Sequence, residues 1–229
     1  MSFSLSFTEK GYGTPLVLLH GNGEDSGCFV NQIDKFSEFR RVIAVDTRGH
    51  GASPRGSRPF TLDTFANDLN ELFDKLGIDS ADILGFSDGG NIALIFALKY
   101  PERVKRMVLC GANLFPTGLK GSFLIPVRLT YAVLGLVPRR VRSVRRRREL
   151  LYLMAKQPNI HPQALESIKC PVLVMAGTKD VIKEKHTKLI AASLPNARLC
   201  FLKGGHFIIK TNSVEFNSEV EKFLRAQKT

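Results

Sequence analysis

The sequence is sparing with cysteine and does not group the four it has. Cys28, Cys110, Cys170 and Cys200 are scattered, with no C-x-x-C pair. That excludes a disulfide framework and a zinc ribbon, and it fits reduced thiols in a cytoplasmic protein. Cys110 and Cys170 adjoin apolar stretches and read as plain core residues. No apolar run is long and uncharged enough to span a bilayer. The amino terminus, Met-Ser-Phe-Ser-Leu-Ser-Phe-Thr-Glu-Lys, has no basic head followed by an apolar core, so no secretory signal is expected.

Acidic residues are also in short supply, and the 229-residue chain carries a formal charge of +12. The surplus is local. Arg139, Arg140, Arg142, Arg145, Arg146, Arg147 and Arg148 supply seven charges within ten residues, and without them the balance is +5. The apolar fraction, 44%, is that of a globular protein, and the length suits one sizeable core with an excursion rather than two equal domains.

Short apolar runs punctuated by Gly-rich loops carry the fold signal. Phe3–Phe7 alternates and suggests a half-exposed strand. Leu16–Leu19, Arg41–Val45 and Ala81–Leu84 read as buried strands, and Val104–Cys110, Val172–Met175 and Arg198–Leu202 as further strands. Helical spacing runs from Leu62 through Phe65, Leu69, Leu72, Phe73 and Leu76, opened by Thr61 and closed by Gly77, with Asp63 and Asp68 on the polar side. Further helices are expected near 28–36, 91–99, 183–193 and 214–226. Strands alternating with helices predict an α/β protein, a mostly parallel central sheet with helices on both faces. Ligands in such sheets bind beyond the carboxyl ends of the strands, and His20, Ser87, Asp180 and His206 each follow a predicted strand.

Gly85-Phe86-Ser87-Asp88-Gly89-Gly90 is the sharpest motif. It contains G-x-S-x-G between a strand and a helix, where a tight turn would project the Ser87 hydroxyl and leave no room for side chains at Gly85 and Gly89. The bland alternative is a Gly-rich turn that carries a serine by chance. A serine needs a base to take its proton, and an imidazole titrates near neutrality. His206 is the candidate base. Asp180, otherwise a helix cap, is the candidate carboxylate that orients it. His20, Arg48 and His50 read as scaffold, while His161 and His186 have no motif and are expected in solvent.

With His20-Gly21-Asn22-Gly23, Asp46-x-Arg48-Gly49-His50-Gly51-x-Ser53, the Ser87 elbow, Gly177-x-x-Asp180 and Gly205-His206 in this order, the chain resembles the α/β-hydrolase superfamily. Within it the chain looks like the small serine esterases and the valacyclovir-hydrolase-like group, whose elbow also reads Ser-Asp-Gly-Gly. The resemblance implies the α/β-hydrolase fold over residues 1–111 and 170–229, with a small helical cap over 112–169. It implies a carboxylesterase-like serine hydrolase working on a small-molecule acyl substrate through an acyl-Ser87 intermediate, and an oxyanion hole from the backbone N–H groups of Asn22 and Asp88. Relatives with dehalogenase or epoxide hydrolase chemistry place aspartate where Ser87 stands. Carbon–carbon or amide hydrolysis, cofactor-free perhydrolysis and a non-catalytic ligand receptor remain compatible with the same site. No metal or organic cofactor is implied, and the oligomeric state is left open.

The cap stretch suggests one or two short helices, with Phe115, Phe123 and Tyr131 lining a substrate pocket that so small a lid would leave open. The carboxylate of Asp88 points either to a cationic substrate group or elsewhere as a turn residue. The run Arg139–Arg148 fits a solvated polar face, attraction of acidic substrates or, with the apolar run 123–137 beside it, weak contact with an anionic membrane. No recognition module accompanies it that would direct it to nucleic acid.

Overall fold

The computed structural model describes residues 3–138 and 141–226. Arg139 and Arg140 of the arginine run lie outside them. Seven strands form one sheet: β1 (Phe7–Lys10), β2 (Pro15–Leu19), β3 (Arg41–Val45), β4 (Ala81–Phe86), β5 (Val104–Cys110), β6 (Val172–Gly177) and β7 (Ala197–Leu202). Their spatial order is β1-β3-β2-β4-β5-β6-β7. Only β1, at the edge, runs antiparallel to its neighbour.

The two-residue period of the strands divides the core. Val17, Leu19, Ile43, Val45 and Ile83 face one side, where α2 (Leu62–Leu76), α3 (Asp88–Lys99) and α6 (Glu184–Ser193) cover them. Leu16, Leu18, Val42, Ala44 and Leu84 face the other, under α1 (Val30–Phe36), α7 (Ile208–Thr211) and α8 (Ser213–Arg225). Burying each of the valine, leucine and isoleucine side chains contributes about 1.5–3 kcal/mol, so both faces of the sheet are committed.

The sequence signals for α2 are met at both ends. Thr61 Oγ1 accepts from the Thr64 N–H at 3.1 Å, and Gly77 turns left-handed (φ 63°) to close the helix. Asp68 is a correction. It is buried rather than on the polar side, where it accepts two hydrogen bonds from the equally buried Arg48 at 2.7 and 2.5 Å. The Phe3 ring stacks on that guanidinium at 3.7 Å. This explains a second difference. Residues 3–6 are not a strand, because Phe3 is taken up by Arg48 and the Ser6 N–H donates to Ser53 Oγ. Pairing with β3 begins at Phe7.

Between β5 and β6 the chain forms two packed helices, α4 (Gly121–Gly135) and α5 (Arg142–Lys156). Leu114, Leu153, Ile160, Leu165 and Ile168 of this stretch join the core on the α2–α3 side. Among the described residues no helix is long and apolar enough to cross a membrane.

Candidate active site

β4 ends at Phe86 and α3 begins at Asp88, which leaves Ser87 alone to make the turn. It does so at φ 53° and ψ −120°, and among the described residues it is the one non-glycine with positive φ. Such a conformation costs of order 1–3 kcal/mol and persists only where the surroundings enforce it. Here its N–H donates to the Cys110 carbonyl at 2.7 Å, and its carbonyl accepts from Gly90 N–H and Asn91 N–H. A Cβ at Gly85 would overlap the Gly89 carbonyl, and one at Gly89 would overlap the Leu19 carbonyl. The turn can therefore lie flush against β2 only with hydrogen at both positions.

Parallel strands deliver the other two side chains to the same edge. His206, four residues beyond β7, places Nε2 3.0 Å from Ser87 Oγ. Its Nδ1 lies 2.8 Å from Oδ1 of Asp180, three residues beyond β6. Asp180 is buried, and its Oδ1 also accepts the Ile182 N–H at 2.9 Å. The imidazole packs between the Phe86 and Phe207 rings, with centroids 5.0 and 5.5 Å away. Gly111, at the end of β5, has φ 65°, and a Cβ there would stand 2.7 Å from His206 Cε1. Sequence reasoning missed this glycine. Its signal was its place at the carboxyl end of a strand beside β4.

Asn22 and Asp88 line the same cavity as Ser87 and His206. Neither backbone N–H donates to another group among the described residues. Their side chains do interact: Asn22 Nδ2 donates to Asp88 Oδ2 at 2.8 Å and to the Leu150 carbonyl of α5 at 3.1 Å. Asn91 Nδ2 donates to the other Asp88 oxygen at 3.1 Å. The Asp88 carboxyl is thus held by two amides and turned inward, and burial raises its pKa above the ordinary carboxylate range. Two amides already occupy the carboxyl that the sequence offered to a cationic substrate group.

The cavity at Ser87 is about 40 Å³, with Phe123 and Met154 among its walls. It is narrow where a wide pocket was expected, and Ser87 in it stays partly exposed. Phe123 stands where expected, but Phe115 and Tyr131 do not. Phe115 lies edge-on to His186 at 4.6 Å, away from the serine. Tyr131 lines a separate cavity of about 490 Å³ between α4, α5 and residues 59–61. The two spaces meet at Gln157, which walls the smaller one and whose Nε2 lies 3.3 Å from Tyr152 Oη in the larger.

His20 and His50 serve the loops as read. The Thr47 N–H donates to His20 Nε2 at 3.0 Å, so Nδ1 carries the proton and donates to the Gly21 carbonyl at 2.7 Å. Burial lowers the His20 pKa and brings that of His50 down to about 4. His161 is exposed. His186 is another correction: it is buried, and its Nε2 accepts the Leu114 N–H at 2.9 Å.

The family described as alpha/beta hydrolase fold matches residues 14–147, more than half of the chain. The chain belongs to the α/β-hydrolase family. This α/β hydrolase is 30% identical to serine hydrolase BPHL of Homo sapiens, over 96% of its own length and 83% of that protein's. It is also 30% identical to a 2-hydroxy-6-oxononadienedioate/2-hydroxy-6-oxononatrienedioate hydrolase of Burkholderia vietnamiensis, over 96% of its own length and 90% of that protein's. Among solved structures, a hydrolase from Pseudomonas aeruginosa PA01 superposes with a TM-score of 0.79 at 28% identity, covering 97% of this chain and 94% of that one. The first relative bears out the resemblance read from Ser-Asp-Gly-Gly.

Proposed function

We propose that this α/β hydrolase cleaves a carboxylic ester, or a related activated acyl compound, through a covalent acyl-Ser87 intermediate. The reading rests on the continuous hydrogen-bond chain from Ser87 Oγ to His206 Nε2 (3.0 Å) and from His206 Nδ1 to Asp180 (2.8 Å). Ser87 Oγ attacks the acyl carbon while its proton passes to His206 Nε2. The carbonyl oxygen becomes an oxyanion and accepts hydrogen bonds from the backbone N–H groups of Asn22 and Asp88. As the tetrahedral intermediate collapses, the carbon–oxygen bond to the alcohol breaks and His206 returns the proton to that alcohol. Water then repeats the sequence on the acyl-enzyme, releasing the acid and restoring Ser87. Asp180 fixes the Nδ1–H tautomer and stabilises the imidazolium.

A cavity of about 40 Å³ has room for a few waters and no substrate of ester size, so a substrate enters as the walls from α4 and α5 draw back. We read this helical pair as the cap.

A second reading takes the reaction from the Burkholderia relative, which matches along 90% of its length and is named for an oxo-dienedioate substrate. Against it, no lysine or arginine stands among the described residues lining the Ser87 cavity, so a doubly anionic substrate would meet no fixed countercharge. A neutral ester suits these walls better. A fluorophosphonate probe is expected to label the intact protein once, at Ser87, with labelling lost in Ser87→Ala. Steady turnover of p-nitrophenyl esters is expected, graded by acyl length. Folded protein that neither labels nor turns over any ester would overturn the proposal.

A further inference from the structure

The helical pair between β5 and β6 leaves one face bare. On α4, Ile125, Leu129 and Val133 recur every fourth residue and are 60%, 62% and 61% exposed, and Leu136 just beyond is 87% exposed. The inward contacts of this helix are made instead by Leu124 and Val127, both buried. A globular helix turns its polar side outward, and here large aliphatic side chains take that place.

The adjoining helix supplies an independent observation. Arg145, Arg146 and Arg147 on α5 are exposed, and none has an acidic partner within 4 Å among the described residues. Several arginines elsewhere are matched: Arg41 with Glu9, Arg48 with Asp68, Arg103 with Asp74, Arg225 with Glu221. Residues 112–169 hold eleven lysines and arginines against two glutamates, and one of the two, Glu149, is taken by Arg55 at 2.8 Å.

We propose that the Ile125–Leu129–Val133–Leu136 stripe and the α5 arginines together form a docking surface for an anionic phospholipid bilayer. The stripe would sink among the acyl chains while the guanidinium groups meet lipid phosphates and carboxylates. The pair lies in the interface and does not span it. A merely solvated face needs no bare leucines. Steering of acidic substrates leaves the stripe unexplained, and a duplex nucleic acid turns charged phosphates outward, not an apolar layer for four aliphatic side chains. A second copy of the chain would press one unmatched cationic helix against another. The proposal stands apart from the Ser87 chemistry, although Phe123 of the same helix reaches into the Ser87 cavity.

The test is co-sedimentation of the full chain with vesicles of phosphatidylcholine, with and without about 30% phosphatidylserine, at about 0.1 M salt. Binding to the anionic vesicles is expected, weakening steeply with added salt and at least about tenfold weaker on neutral ones. Arg145→Glu/Arg146→Glu/Arg147→Glu is expected to reduce anionic binding about a hundredfold or more, and Leu129→Ser/Val133→Ser about tenfold or more. Unchanged far-ultraviolet circular dichroism and melting temperature exclude misfolding as the cause. Failure to sediment with either vesicle, or equal binding to both, overturns the proposal. So does full binding by the Leu129/Val133 variant. A wild-type dimer that becomes monomeric in that variant, without vesicle binding, would reassign the stripe to self-association. RNA binding without vesicle binding would reassign the arginines.

Discussion

Acidification should weaken this protein through His186, and the size of the effect follows from its surroundings. The ring is buried, stands edge-on to Phe115, and accepts the Leu114 N–H at Nε2. Its proton must therefore sit on Nδ1, and a second proton on Nε2 would set one N–H against another. Burial first, and the Lys183 charge second, bring its pKa down from 6.5 to about 4. The unfolded chain titrates near 6.5, so between that pH and about 4 the unfolded state binds a proton that the native state refuses. Stability is accordingly full above pH 6.5 and lost as pH falls toward 4. The gap from 6.5 to about 4 sets a ceiling of about 3 kcal/mol. By about pH 5 the loss relative to about pH 7.5 is about 2 kcal/mol, or about 4–8 °C in melting temperature for a chain of this size. His50, also near 4, adds a comparable amount. The assay is urea unfolding at both pH values for the wild type and for His186→Gln, whose amide oxygen can accept the Leu114 N–H but does not titrate. The variant is expected to lose about 2 kcal/mol of the pH dependence. An identical pH dependence in the two proteins would refute this assignment of His186 as a buried, neutral acceptor.

Asp180→Asn keeps the acceptor for the Ile182 N–H but loses the charge beside His206, so kcat for ester turnover is expected to fall about 10⁴-fold with little change in melting temperature. Arg48→Met strands the buried Asp68 carboxylate, with only Arg58 still 3.3 Å away, and should cost about 3–5 kcal/mol in denaturant unfolding. Gly89→Ala sets a methyl against the Leu19 carbonyl, and soluble, folded protein is expected to be lost. Asn22→Ala leaves the backbone N–H in place but releases its hold on Asp88 and Leu150; a fall in kcat of about 10–100-fold at nearly constant KM would show that positioning, not the group itself, was removed.

Local signals in the sequence were sufficient for much of the fold. Thr61 and Gly77 bracket α2 because capping is decided within one helical turn. The buried strands announce themselves as continuous apolar runs, since helices cover both faces. Once the strands are parallel, residues that follow them share an edge, which is why Ser87, Asp180 and His206 could be grouped without coordinates. What escaped depends on partners distant in the chain. Asp68 occupies a polar-looking helix position and is buried only because Arg48 reaches it. His186 has no motif, and its acceptor role is created by Leu114, 72 residues earlier. Phe115 and Tyr131 are aromatic residues in the right segment, but helix rotation and loop path send them elsewhere, and no spacing rule encodes that. The role of Gly111 exists only because the loop after β7 folds back over the end of β5.

The backbone of Ser87 also sets a limit on how this molecule can be improved. A glycine there would adopt the same left-handed turn at ease, so any selection for heat tolerance alone should favour discarding the hydroxyl. Breeding for endurance without a parallel screen for turnover would then return sturdier proteins that lack the hydroxyl on which the proposed acyl transfer depends, altered at the one described position where a non-glycine residue is held against its own preference.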